Sequence, residues 1–155
     1  MPVYQTTQLV NADLDVCWKF FSDPANLSLI TPPEMNFRII FPKPIPAMYP
    51  GMIIRYKVSP LFGIQLEWIT EITQVREKEF FIDNQLKGPF SIWHHQHFFR
   101  QTPDGTEMKD IVTYEVPFGW PGSLIAGQIV RKRIEGIFAF RHAVIEKYFN
   151  KTGNP

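Results

Sequence analysis

The sequence predicts an α+β fold: seven antiparallel strands forming one curved sheet around a long C-terminal helix, with two short helices after the first strand. Three observations carry that prediction. Alternation with a period of two runs through most of residues 35 to 116, the pattern of strands with one wet and one buried face. The helical period appears only from Asp13 to Ile30 and again over residues 121 to 149. Between the strand segments stand turn signatures, Lys87-Gly88-Pro89 and Thr102-Pro103-Asp104-Gly105, the second a strong hairpin signal. A sheet of that size twists and curls, so a helix on its concave side leaves space that side chains must fill or line.

Each element has its own reason. Residues 3 to 10 alternate Val3, Gln5, Thr7, Leu9 against Tyr4, Thr6, Gln8, Val10, and Val and Thr favour a strand. Leu14, Cys17, Trp18 and Phe21 then stand at i, i+3, i+4 and i+7 and form one apolar stripe of a short helix. Ser22-Asp23-Pro24 supplies a cap followed by proline at the first helical position, so a second short helix follows, with Leu27 and Ile30 inward, and Thr31-Pro32-Pro33 ends it. Met35, Phe37, Ile39 and Phe41 read as the next strand. Further strands follow over Met52 to Val58, Ile64 to Ile72, Glu79 to Leu86, Phe90 to Arg100 and Thr106 to Val116. The last helix is patterned by Val130, Ile134, Ile137, Phe138, Val144, Ile145 and Tyr148, and Arg131-Lys132-Arg133 reads as its solvated side.

Composition bounds the function. With 155 residues, 45% hydrophobic and 20% charged, the chain reads as a single domain over residues 1–155. Lys+Arg 16 against Asp+Glu 15 leaves a formal charge of +1, so no global field draws it to nucleic acid or anionic lipid. No apolar run approaches the ~18 residues of a membrane span and the N-terminus lacks a leader pattern, so stable membrane insertion is not expected and a cytoplasmic location is. Cys17, the only cysteine, excludes an internal disulfide, and its place on the apolar stripe marks a buried structural thiol rather than a nucleophile. Aromatics are abundant: 14 Phe, 5 Tyr and 4 Trp exceed what a core of this size needs and suit the walls of a cavity. Of 14 prolines, seven fall between Pro32 and Pro60, where they stiffen a rim. The part from Phe41 to Met52, carrying Ile45, Met48 and Tyr49, offers a lid or a homodimer surface, and Phe118 and Trp120 offer a gate or a staple on the last helix.

Chemistry concentrates in Asp83 to Phe99, which holds three of the four histidines. Because side chains alternate along a strand, Trp93, His95, His97 and Phe99 share one face, and His94 points the other way with Ile92 and Phe98. A hairpin centred near residue 104 brings His97 close to Asp110, on a strand face shared with Val112 and Tyr114. Three readings are open. In the first, the histidines and Asp110 form a self-satisfied buried network. Alternatively His95, His97, Asp110 and Tyr114 hold the polar end of an apolar ligand whose body is enclosed by Trp68, Trp93, Phe99, Ile134 and Phe138. In the third, His95 or His97 is a general base oriented by Asp110, or the His-x-His pair holds a metal with Asp110 or Asp83 as third donor. No Cys pair or His-x-x-x-His completes a metal site and no phosphate-cradling glycine loop is present, so neither a metal nor a dissociable cofactor is expected.

The order of elements over residues 3 to 149 resembles the helix-grip proteins of the START-related, birch-pollen-allergen-like superfamily, whose members bind lipids, sterols, polyketides and quinones or act as cyclases. Gly88-Pro89-Phe90 followed by Trp93-x-His95-x-His97-x-Phe99, together with Gly105-Thr106, Asp110, Tyr114 to Gly119 and Phe140-Arg141-His142, is similar to one branch of it. That branch comprises small stand-alone proteins, or domains joined to nucleotide-sugar-epimerase-like domains, described as cell-division-inhibitor-like or ligand-binding. The resemblance implies the helix-grip fold and a cavity of the polyketide cyclase and lipid-transport type. The expected function is non-catalytic binding of a small hydrophobic or amphipathic molecule between sheet and helix. Two other classes stay open: a cyclase, hydrolase or isomerase using His95, His97 and Asp110, and a regulatory interaction protein with a vestigial cavity.

Overall fold

The computed structural model describes residues 1–40, 44–60, 62–117 and 123–152, the side chains of 123–126, 151 and 152 excepted. Strand β1 (Val3–Val10) leads into helix α1 (Leu14–Phe21), followed by two 3₁₀ turns, Pro24–Ser28 and Pro33–Met35. Six strands follow: β2 (Arg38–Ile40), β3 (Met52–Val58), β4 (Leu66–Arg76), β5 (Phe80–Lys87), β6 (Ile92–Thr102) and β7 (Gly105–Glu115), and α2 (Ser123–Thr152) closes the described chain. All seven strands form one antiparallel sheet in the order β1-β7-β6-β5-β4-β3-β2. Everything from β2 to β7 is a meander, and only β1 leaves it, to pair with β7. At 1.5 Å per residue α2 runs about 45 Å, enough to cross the concave face. No helix among the described residues is long and apolar enough to cross a membrane.

Local chemistry explains the boundaries. Asp23 caps the first 3₁₀ turn, its Oδ1 accepting from the Ala25 backbone N–H at 2.9 Å, and Pro24 fills the position whose N–H needs no partner. The predicted strand from Met35 to Phe41 is shorter than expected. Met35 belongs to a 3₁₀ turn and Asn36 is left-handed, with φ 47°, so the strand begins only at Arg38, while Phe37 packs against Tyr56 at 5.0 Å. Phe41 lies outside the described residues, as do Phe118 and Trp120. The strand expected from Ile64 starts at Leu66, after Phe62 and Gly63 take positive φ in the turn. Two register shifts between β4 and β5, at Ile69/Thr70 and Ile72/Gln74, bend the sheet at its middle. β6 and β7, in contrast, pair without interruption from Ile92↔Glu115 to Thr102↔Gly105. Gly105 sits at φ 134°, where a Cβ would lie 2.3 Å from the Val10 carbonyl, so β1 packs against a position only glycine fills.

Of the four hydrophobic clusters among the described residues, two are built on buried residues of α2. At one end Cys17, Trp18, Phe20 and Phe21 of α1 pack with Phe81, Phe99 and Met108 of the sheet and with Ile145 and Phe149 of α2. Here the helix stripe differs from the expected one. Tyr148 is 43% exposed and Phe149 only 2%, so the inward ridge ends on Phe149, in T-shaped contact with Phe20 at 5.3 Å. At the other end Val130, Ile134 and Phe138 meet Val112 and Tyr114. Arg133 departs from the solvated face expected of the basic triplet: its Nε donates to the Pro60 carbonyl at 2.8 Å and it reaches Glu34 at 3.4 Å, tying α2 to the loop side of the sheet. In the rim, Ile45 and Met48 turn inward onto Met52, Ile54 and Ile72, leaving Tyr49 exposed.

Candidate functional site

Five side chains from four elements build the centre of the concave face. His95 and His97 alternate inward on β6, Asp110 stands opposite His97 on β7, and Asp83 stands opposite His95 on β5. The fourth element is α2, which contributes Arg141 at the helical spacing of Ile134, Phe138 and Ile145. Sequence reasoning placed both histidines and Asp110 on one face but assigned no role to Arg141. Its signal is a charged residue on an otherwise apolar helical stripe.

The two carboxylates lie on opposite sides of the histidine pair. His95 Nε2 donates to Asp110 Oδ1 at 3.0 Å, and His97 Nε2 donates to Asp83 Oδ2 at 3.0 Å. His97 Nδ1 lies 2.9 Å from Asp110 Oδ1 but out of line for a hydrogen bond, and His95 Nδ1 is 3.8 Å from Asp83 Oδ2. Arg141 stands 3.6 Å from Asp110 Oδ1, with its guanidinium carbon 5.6 Å from the centres of both the Phe21 and Phe138 rings. Two rings and a carboxylate thus hold a cation that is 8% exposed. The imidazoles are themselves stacked into place, His97 on Phe81 at 4.0 Å and against His95 at 3.7 Å.

Burial and charge act differently on each group. Burial would raise the Asp110 carboxyl, but the Arg141 charge, the bond from His95 and the adjoining His97 overcome it and hold the group well below the usual carboxylate range. Burial would likewise depress His97, yet the adjoining carboxylates of Asp110 and Asp83 win and raise it. For His95 burial prevails, reinforced by the neighbouring charge on His97, and its value falls. Of the pair, His97 is therefore the more readily protonated and His95 the less.

Above this polar floor lies a cavity of about 200 Å³. Trp68, Trp93, His95, His97, Ile134 and Phe138 all line it, and so do Asp83 and Arg141. Phe99, Asp110 and Tyr114 stand behind the wall. Phe99 belongs to the cluster under α1, Asp110 supports the histidines, and Tyr114 packs edge-on to Phe90 at 6.0 Å. The remaining wall is mostly apolar, from Met35, Ile54 and Tyr56 to Ile137, and the inward Met48 covers part of it. Trp68 Nε1 is buried with no hydrogen-bond partner among the described residues, an unusual cost for an indole in such a wall.

A family model described as "Polyketide cyclase / dehydrase and lipid transport" matches residues 10–138. The chain belongs to this family. The sheet and the long helix are thus those of a polyketide cyclase and lipid-transport family member, and solved structures agree at the level of fold. A START superfamily protein from Mycobacterium smegmatis superposes with a TM-score of 0.71 at 17% identity, covering 97% of this chain and 98% of that one. Ara h 8.0201 gives 0.62 at 13% identity, over 93% and 97%. The di-domain ARO/CYC protein StfQ of the steffimycin biosynthetic pathway gives 0.73 at 9%, over 97% of this chain and 51% of that one. No curated protein matches the sequence. These neighbours confirm the helix-grip architecture that the order of elements predicted.

Proposed function

We propose that this family member binds a small, mostly apolar molecule with one hydrogen-bonding end, the body between α2 and the sheet and the polar end on His95 and His97. The observation that carries the reading is convergence: in a largely apolar wall, Asp83, His95, His97 and Arg141 meet at one place. A dry cavity of ~150 Å³ accepts benzene, so the cavity here suits a molecule of about one or two rings. Neutral His95 offers a lone pair at Nδ1 to a ligand hydroxyl, because Nε2 is committed to Asp110.

Native mass spectrometry of gently purified protein, before and after denaturation, tests this. A stoichiometric organic adduct is expected. Ile134→Trp, which fills the cavity from the helix side, should abolish it, whereas His95→Gln should weaken binding about tenfold, the worth of roughly one hydrogen bond. An Ile134→Trp protein that folds and still binds with unchanged affinity overturns the reading.

A second reading rests on the same histidine. His95, neutral and oriented by Asp110 at 3.0 Å, has the arrangement of a general base, while His97 is already committed to two carboxylates. If turnover of the bound molecule is found, His95→Gln should lower it by ~10²–10⁴-fold, far more than it weakens binding.

A further inference from the structure

The polar floor has the connectivity of a metal site, and we propose that Asp83, His95 and His97 bind one divalent first-row transition ion at the base of the cavity. One potential ligand atom from each of the three residues lies within 4.8 Å of the others. Their environment is what distinguishes them from a chance cluster. Each imidazole has one nitrogen toward Asp110, at 3.0 Å for His95 Nε2 and 2.9 Å for His97 Nδ1. Its other nitrogen faces Asp83, at 3.8 Å for His95 Nδ1 and 3.0 Å for His97 Nε2. His95 is held as histidine ligands in metal sites are, by a carboxylate bonded to the ring nitrogen away from the ion, and His97 Nδ1 stands beside the same carboxylate. Arg141, 3.6 Å from Asp110, fixes that outer carboxylate in turn.

The donor set selects the ion. Two imidazoles and one carboxylate suit Zn²⁺, Fe²⁺ or Co²⁺, and the absence of a thiolate among the three disfavours Cu⁺. Ligand atoms bound at about 2.0–2.2 Å stand roughly 3–3.5 Å apart, so the Asp83–His97 pair already has the required spacing and only His95 needs to draw in. The ion replaces the proton between His97 and Asp83, which leaves to solvent, so the dication and Arg141 face the carboxylates of Asp83 and Asp110 and the cluster gains one positive charge. Because all three donors line the cavity and Asp110 stands behind them, the remaining coordination positions open toward the space above. An oxygen of a small molecule, such as a phenol or a ketone, is the class of ligand that completes them.

Co²⁺ is the probe, since its visible bands report coordination directly. Protein stripped with chelator and titrated with Co²⁺ should bind one equivalent and develop d–d absorption, and Zn²⁺ should displace the colour. Asp83→Asn and His95→Gln should each lose the bands, and Asp110→Asn should weaken binding about 10–100-fold, as supporting carboxylates do. His94→Ala, on the outer face where Nδ1 meets Asn84 at 2.6 Å, should leave the titration unchanged. Circular dichroism of each variant separates lost ligands from lost fold. A folded wild-type protein that takes up no Co²⁺, or whose uptake survives both ligand substitutions, overturns the proposal. The titration uses no organic molecule, so its outcome is independent of the binding reading above.

Discussion

At the scale of single residues, the decisive group is Arg141. The buried Asp110 and the partly buried Asp83 share the concave face, and removing a cation from such a network leaves charge without compensation, a cost of about 3–5 kcal/mol. Arg141→Met should therefore destabilise the protein by about 3 kcal/mol in urea unfolding, although it preserves most of the apolar contact with Phe21 and Phe138. Arg141→Lys should recover less than half, because an ammonium lacks the flat guanidinium that lies between two rings. A loss below about 1 kcal/mol would show that His97 alone balances Asp110. The legibility of the site follows from register. His95 and His97 are readable from strand alternation, and Asp110 from a hairpin whose Pro103-Asp104 turn fixes the pairing. Asp83 is not placed so simply. The connection from Lys87 to Ile92 is no two-residue turn, so the pairing of β5 with β6 has no local marker. Arg141 is harder still, since which strand a helix face meets depends on the curvature of the sheet.

At the scale of elements, α2 is anchored at its C-terminal end and lines the cavity along its middle. Phe149, 2% exposed, packs on Phe20 and Phe21, whereas the adjacent Tyr148 is 43% exposed. Phe149→Ala should cost about 3–5 kcal/mol by the usual loss of a buried aromatic, and Tyr148→Ala should cost much less, both read from thermal or urea melts. Equal costs would contradict the face assigned to the helix. Periodicity located α2 to within a few residues but chose Tyr148, because its 3.6-residue repeat does not decide between neighbours when both are aromatic. Strand boundaries were missed where backbone conformation overrides alternation, as at left-handed Asn36. On the outer face of the sheet, Glu67 of β4 bridges Arg55 of β3 and Lys87 of β5, and the hydrogen bonds of these two cations lower its carboxyl to about 2. Being exposed, that triplet holds strand register more than it holds the fold.

At the scale of the whole molecule, stability is graded across the sheet. β6 and β7 are the longest uninterrupted pair and carry Phe99, Met108 and Val112 into the core, whereas β2 has three residues and pairs only with β3. Amide exchange followed by mass spectrometry should be slowest in the β6–β7 pair and fastest in β2. Protection of β2 equal to that of β7 would mean that something beyond the sheet covers that edge. The composition foretold this architecture in part: the excess of aromatics is spent at the two ends of the helix and around the cavity, as with Trp68, Phe90 and Trp93.

The one break in the meander has a consequence for how the chain is made. β1 precedes the other strands of the sheet in the chain, yet its partner among the described strands, β7, comes about a hundred residues later, while every other strand meets a neighbour within one connection. Until β7 has emerged, the alternating Val3 to Val10 segment has no edge to join, and Gly105 has no backbone to receive. The meander can assemble hairpin by hairpin, but the sheet is completed only when its first residues return to its last strand. That step closes the longest loop within the sheet and should set the pace of refolding.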